Sequence, residues 1–192
     1  MGFAIDLAAP PTPFAVERRF RRGSFLVLAG APAGAAYLIR AGQVRVSVPA
    51  APGRETTTAF LGPGQLVGLG GVLGRPTYHA FARAVTRVVA WSLPPEGLLA
   101  WLPGDPALLD LVLSALSQRL ALAEGLLRDV ALYRVAARIP DALERLGPCL
   151  GGEPPALTRG ALAALVGARR ETVSRAAHAA GAVPAAPAAA GR

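Results

Sequence analysis

Lysine is absent from this chain of 192 residues: all 20 basic side chains are arginine. Cysteine is almost absent too. The single Cys149 excludes an internal disulfide, and with only His79 and His178 beside it there is no zinc or iron-sulfur ligand set to assemble. No apolar run reaches the roughly 18 uncharged residues of a membrane span. The N-terminus, MGFAIDLAAPPTPFAVERRF, lacks the charged-then-apolar layout of a secretory leader. A cytoplasmic protein with no membrane partner is the expectation. No nucleophile-base pair, carboxylate dyad or phosphate loop is legible, so neither an enzyme nor a bound cofactor is expected. GLGGVLG is rich in glycine but lacks the Lys-Ser/Thr of a P-loop and the strand-to-helix setting of a dinucleotide fingerprint.

What is present begins with charge. A formal net charge of +8 and a pI near 11.3 fit a polyanionic partner, although charge alone gives affinity rather than sequence preference. Exclusive use of arginine is explained equally by genomic base composition and by phosphate recognition. The length suits one domain or two small ones with a real core.

The most informative stretch runs from Thr158 to His178, TRGALAALVGARRETVSRAAH. Thr158 is a suitable N-cap, and Leu162, Ala163 and Val166 recur at helical spacing along one face. Gly167 ends that helix. Ala163 stands four residues before Gly167 and Val173 six after it, a spacing that lets two helices cross closely at a small residue while a β-branched one fills the angle. This predicts a helix-turn-helix, with the second helix starting near Arg170. Arg170, Glu171, Ser174 and Arg175 are the candidate base readers, because an arginine fork suits guanine and a glutamate accepts from cytosine. Thr158, Arg169 and Thr172 suit phosphate contacts, which set register without reading sequence. The plainer alternative is an ordinary helical hairpin with charged outer positions.

LTRGALAALVGARRETVSR resembles the recognition motif of the superfamily of the cyclic-AMP receptor protein and the fumarate-nitrate regulator (CRP/FNR), down to the run Arg170-Glu171-Thr172-Val173-Ser174-Arg175. The resemblance implies recognition of double-stranded DNA at half-sites containing TGA by a homodimer, with RNA polymerase as a further partner. Without metal-ligating cysteines, the chain departs from the cluster-bearing members, which argues against iron-sulfur oxygen sensing.

Upstream, the texture is that of a β-protein. Residues 1 to about 16 hold Pro10, Pro11 and Pro13 with no periodicity and read as a loose arm. From Phe20, short runs rich in Val, Leu and Phe alternate with turns at Gly23, Gly30, Gly42, Gly53, Gly64 and Gly68. The runs are 24–28, 35–40, 43–48, 56–61, 65–69 and 80–93, which predicts a β-roll or small barrel. In VRVSV, alternation places Val44, Val46 and Val48 inward and Arg45 and Ser47 outward, and Pro52-Gly53 makes a hairpin turn. RRGSFLVLAG, YLIRAGQVRVSV and LGPGQLVG are similar to the family's cyclic-nucleotide-binding β-roll.

In members that bind cyclic AMP, a Glu after Gly takes the ribose hydroxyl and a later Arg takes the cyclic phosphate. Here Leu69 follows Gly68, and the Arg position falls at Thr77 or Tyr78. A buried phosphate without a guanidinium is strongly unfavourable, so cyclic AMP is not expected as effector unless Arg75 or Arg83 serves from a shifted frame. Tyr78 and His79 lie where another small ligand would sit. A lone histidine beside apolar positions is more often structural, so neither is assigned and the effector is left unknown.

At Asp105 the period switches. Asp105-Pro106 is a helix start. Leu109, Leu113, Leu116, Leu120, Ala123, Leu127 and Val130 then step by four and three, a heptad seam. A second stripe, Leu108, Leu111, Ala115, Leu122 and Leu126, widens the apolar surface, so that one stripe can pack on the β-roll and the other on a twin helix. A single amphipathic helix buried in its own domain is the alternative; the family's parallel dimer helix favours pairing. The seam ends around Leu132 to Arg134. A short helix from Val135 to Leu146 follows, with Pro140 tolerable near its first turn or at a kink, at the place of the family's hinge. Gly147-Pro148 and 151–155 form a linker. The tail AAHAAGAVPAAPAAAGR, from Ala176, has no alternating segment, so no C-terminal wing is legible and a disordered tail is expected.

The expected architecture is therefore α+β. Residues 1–104 form a cyclic-nucleotide-binding-like β-roll, or jelly roll, 105–133 a dimerisation helix, and 134–192 a helix-turn-helix DNA-binding domain with a reduced or missing wing. The competing expectation is a dimeric sensor or scaffold that has lost competent DNA binding.

Overall fold

A computed structural model of the chain describes residues 7–51, 54–74, 76–144 and 159–179. Eight strands form two four-stranded sheets. One has the order β1 (Val16–Phe20), β8 (Val88–Leu93), β3 (Ala36–Ala41), β6 (Leu66–Val67). The other has the order β2 (Phe25–Val27), β7 (Phe81–Ala84), β4 (Val44–Ala51), β5 (Arg54–Leu61). Every pairing between these strands is antiparallel. Apolar side chains from both sheets fill the space between them, with Ile39, Val44, Val46, Val88 and Ala90 essentially without exposed surface. This is the β-roll the glycine-punctuated runs predict, and the turns carry its geometry. At Gly42, between β3 and β4, φ is 86°. A Cβ there would lie 2.1 Å from the Arg87 carbonyl oxygen, so only glycine passes.

Three details differ from the sequence reading. Strand β1 begins where the presumed arm ends, in a stretch where the sequence reading placed no strand; VERRF has three charges in five residues and hides its strand character. It is an edge strand paired to β8, and Glu17 reaches across to Arg40 on β3, whose guanidinium lies 4.7 Å over the Trp91 ring of β8. The run 80–93 is two strands in different sheets, β7 and β8, parted at Val85–Arg87. Ser47, expected outward, is fully buried. The ladder between β4 and β5 slips between Val46 and Ser47, and the Ser47 hydroxyl donates to Glu55 Oε2 at 2.7 Å, the same carboxylate that Arg45 holds at 2.8 Å.

Helix α1 (Leu69–Leu73) lies within the roll, between β6 and β7; α2 (Pro95–Trp101), running into a 3-10 turn (Leu102–Gly104), and then α3 (Pro106–Leu132) follow it. The Asp105 carboxylate caps α3, accepting from the backbone N–H of Ala107 at 3.0 Å and Leu108 at 3.1 Å. Leu108 and Val112 bury themselves against Leu38, Leu93 and Leu98, which docks the first turns of α3 on the outside of one sheet. By length and composition alone α3 could cross a membrane, with a mean hydropathy of 1.3 over its most apolar window. Its apolar surface is instead divided between a face turned to the roll and a face turned away.

Tyr133 and Arg134 break the helix, and α4 (Val135–Glu144) sets off in a new direction. Pro140 sits in its second turn and forfeits the helical bond to the Ala136 carbonyl. Two further helices, α5 (Arg159–Leu165) and α6 (Arg170–Ala179), pack with α4 around Ile139, Ala142, Leu162, Ala163, Val166 and Val173. The Leu143 and Leu165 side chains also touch Phe60 of β5. The linker expected at 147–155, the N-cap Thr158 and the wingless tail beyond Ala179 lie outside the described residues.

Candidate functional site

The geometry of α5 and α6 follows from one glycine. Gly167 has φ 64°, and the Ala168 N–H reaches back to the Ala163 carbonyl at 3.0 Å. That is the six-to-one bond of a Schellman ending, which stops α5 and turns the chain. The next helix starts at Arg170. Ala163 and Val173 are both buried where the two helices meet. With Val173 turned inward, Arg170, Glu171 and Arg175 are exposed, and Glu171 and Arg175 share a helical face, four residues apart. Ser174 is half-buried. Arg169 is exposed and lines a groove with Arg170 and Glu171 that faces Arg45 and Glu55 of the β4–β5 hairpin. Thr172 is half-buried and faces elsewhere, lining a groove with Leu132, Tyr133 and Arg134 at the break between α3 and α4. That break is tied to the C-terminal helices by Arg138, which donates to the carbonyls of Tyr133 at 2.8 Å, Val130 at 3.0 Å and Val166 at 3.4 Å.

The two stripes of α3 part company. Leu109, Leu113, Leu116, Leu120, Leu127 and Val130 are each between 40% and 71% exposed, and Ala123 is exposed with them. On the other stripe Leu108 is buried, and Leu111, Ala115, Leu122 and Leu126 are partly buried. One residue of that inner stripe escapes the sequence reading. Arg119 fits the same spacing, between Ala115 and Leu122, where a cation interrupts an apolar row. The interruption was the signal available in the sequence.

Arg119 borders two spaces. A cleft of about 560 Å³ lies between α3 and the roll, lined by Val48, Ala59, Ala80, Leu122 and Leu126 among others. A cavity of about 20 Å³ enters the roll beside Gly68, Gly70 and Tyr78. His79 and Arg119 line both. The imidazole lies against Gly70, where a Cβ would come within 2.8 Å of His79 Cε1. None of Leu69, Thr77 and Tyr78, where the family resemblance expects the ligand's Glu and Arg, offers charge. Leu69 is 1% exposed and belongs to the core under α3. The Tyr78 hydroxyl is spent on the roll itself, donating to the Ala35 carbonyl at 2.6 Å and accepting from the Ala35 N–H at 2.9 Å. Arg83 is engaged on the outside, donating to the Gly23 carbonyl at 2.7 Å and lying over the Phe25 ring. Arg75 lies outside the described residues. No cluster of metal-ligating side chains forms among the described residues.

Comparison with known proteins extends across this architecture. Residues 17–103 match the cyclic nucleotide-binding domain family. The chain is 30% identical over 164 residues to the CRP-like cAMP-activated global transcriptional regulator of Mycobacterium tuberculosis, covering 82% of this chain and 73% of that one. It is 32% identical over 168 residues to the cyclic AMP receptor protein of Thermus thermophilus, covering 85% and 76%. The chain belongs to the CRP/FNR superfamily. Among solved structures, a CRP/FNR-family transcriptional regulator from Thermus thermophilus aligns with a TM-score of 0.74 at 28% identity, over 86% of each chain. The c-di-GMP responsive global regulator of Xanthomonas campestris shares the fold, with a TM-score of 0.80 at 24% identity over 92% of this chain and 88% of that one. This CRP/FNR protein is a transcription regulator with a cyclic-nucleotide-binding-type roll, and the relatives it matches are regulators rather than enzymes.

Proposed function

We propose that this regulator binds double-stranded DNA as a homodimer. Arg170, Glu171, Ser174 and Arg175 would read TGA-containing half-sites, and Arg169, with Thr158, would touch phosphate, while Thr172, turned to the α3–α4 break, is left out of the contact. The observation that carries the reading is the joint exposure of Arg170, Glu171 and Arg175 on α6, with Val173 locking the opposite face into the core. The exposed seam on α3 supports pairing through a twin helix. A two-fold dimer implies a palindromic site with half-sites about one helical turn, roughly 34 Å, apart.

Cyclic AMP is not the effector in this reading. Leu69 and Tyr78 carry neither the carboxylate nor the guanidinium that such a ligand needs, and no Asp or Glu lines either space among the described residues. Adding cyclic AMP should therefore leave DNA affinity unchanged.

A gel-shift titration tests the function. Binding to an inverted TGA repeat falls steeply as salt rises, because counterions released from phosphate carry much of the affinity. Glu171→Ala relaxes the base preference by about 1–3 kcal/mol while leaving affinity for scrambled duplex in place. Equal affinity of the unaltered protein for the scrambled duplex refutes specific reading. A protein that pairs but shifts no duplex is instead the sensor or scaffold.

A further inference from the structure

The space beneath α1 is filled by one of the protein's own side chains. The Tyr78 hydroxyl spends both of its bonds on one residue, donating to the Ala35 carbonyl at 2.6 Å and accepting from the Ala35 N–H at 2.9 Å. The Tyr78 backbone is fastened as well, its N–H donating to the Ala31 carbonyl at 3.0 Å and its carbonyl accepting from the Gly30 N–H at 2.7 Å. Glycines make the seat for the ring. A Cβ on Gly71 would lie 2.8 Å from Tyr78 Cδ1, and one on Gly68 would lie 3.4 Å from Cε1. What remains beside the ring is a cavity of about 20 Å³. That is room for about one water molecule, far below the roughly 300–1,000 Å³ of small-molecule sites.

The seat reaches outward through α1. Gly71 abuts the ring, while Leu69 and Val72 of the same helix belong to the buried cluster of Leu108 and Val112, in the first turns of α3. A helix of five residues is not stable through its own backbone bonds, so its position is set by what it packs on. The ring limits how far α1 can sink into the roll, and α1 in turn carries part of the surface on which α3 lies.

We propose that Tyr78 is a built-in occupant of the roll. It fills the interior from within, holds α1 against α3, and so keeps α5 and α6 placed for DNA with no small molecule inside the roll. Tyr78 touches no DNA and acts as a positioning residue through α1 and α3; reading its effect as DNA affinity rests on the regulator reading. A ring tethered by the chain loses no translational freedom on seating, so the seat stays filled whatever the surrounding solution holds.

The test uses the full chain, with gel shifts on the inverted TGA repeat and hydrogen exchange over Gly68–Val72 and Leu108–Val112, at a temperature where melts show each variant folded. Tyr78→Ala opens a ring-sized hole, and DNA affinity falls by a factor in the range usual for coupled sites, about 5–150-fold. Cavities left by truncation take up aromatic molecules. 4-Methylphenol, the severed side chain, therefore restores the variant's affinity and leaves the unaltered protein unchanged. Exchange in both segments speeds up on truncation and slows again with 4-methylphenol. A merely structural tyrosine would lower the melting temperature and leave the affinity of the folded protein where it was. Should Tyr78→Ala fail to fold, Tyr78→Phe decides: it keeps the ring, leaves the Ala35 groups unpaired, and binds DNA more weakly than the unaltered protein. Undiminished affinity in the folded variant overturns the proposal, as does a loss in Tyr78→Ala that 4-methylphenol leaves in place, or a gain by the unaltered protein on adding it. If the unaltered protein shifts no duplex while exchange responds as described, the regulator reading alone fails. If it shifts the repeat specifically and the variants match it, this proposal alone fails.

Discussion

Individual side chains in this regulator are governed by what lies across the sheet or under the helix, which their sequence neighbours conceal. Ser47 sits in an alternating run and reads as outward, yet Glu55 on the partner strand draws it in. Tyr78, one of the two positions where the family resemblance expects a phosphate-binding arginine, closes on the Ala35 backbone. Tyr37 offers a measurable case. Its hydroxyl is held above the ordinary tyrosine pKa, first by burial and then by the nearby Tyr78, against the opposing effects of Arg18 and a Ser92 hydrogen bond. Its ring meets Phe20 edge-on, with centroids 5.6 Å apart. A raised pKa in the folded state means that the unfolded chain loses its proton first. The contribution is then complete below about pH 10, the unfolded value, and fades as pH climbs through the higher folded value. Denaturant melts between pH 8 and pH 11 should show the wild type losing stability on the alkaline side, and Tyr37→Phe losing less. Identical pH slopes contradict this account of Tyr37.

Elements were legible wherever local chemistry decides them. Asp105-Pro106 announces α3 because the cap needs only residues three apart, and Gly167 announces a turn because few other residues tolerate its φ. The base-reader candidates were legible for the same reason: the spacing from Ala163 to Val173 fixes which face of α6 is left outward. Strand β1 was not legible, since its apolar content is low and its partners lie on β8 and β3, far along the chain. Arg119 was not legible, since a cation at that spacing reads as a break in the apolar stripe rather than as part of it. At this scale, Asp105→Ala should cost about 1 kcal/mol of stability through loss of the cap, read as a lower denaturation midpoint with an unchanged slope. Arg138 joins three backbone carbonyls across the α3–α4 break. Arg138→Met should weaken DNA binding through loosened placement of α5 and α6, while leaving the fold of the roll intact by circular dichroism. An unchanged DNA affinity would show that Arg138 does not position those helices.

At the scale of the whole molecule, one helix connects everything. Helix α3 docks on the roll through Leu108 and Val112, roofs the cleft through Leu122 and Leu126, and presents Leu109, Leu113, Leu116, Leu120 and Leu127 outward. That row of exposed leucines is what the proposed twin helix would cover. Leu113→Glu places like charges against each other in the pair without touching the core of the single chain. The measurement that bears most directly on the account is sedimentation of the full chain with a duplex carrying one inverted TGA repeat, in the presence of scrambled competitor. The account predicts two chains per duplex, dissociation of the pair by Leu113→Glu, and loss of the DNA complex with it. One chain per duplex, or a complex that Leu113→Glu and scrambled competitor leave untouched, contradicts it.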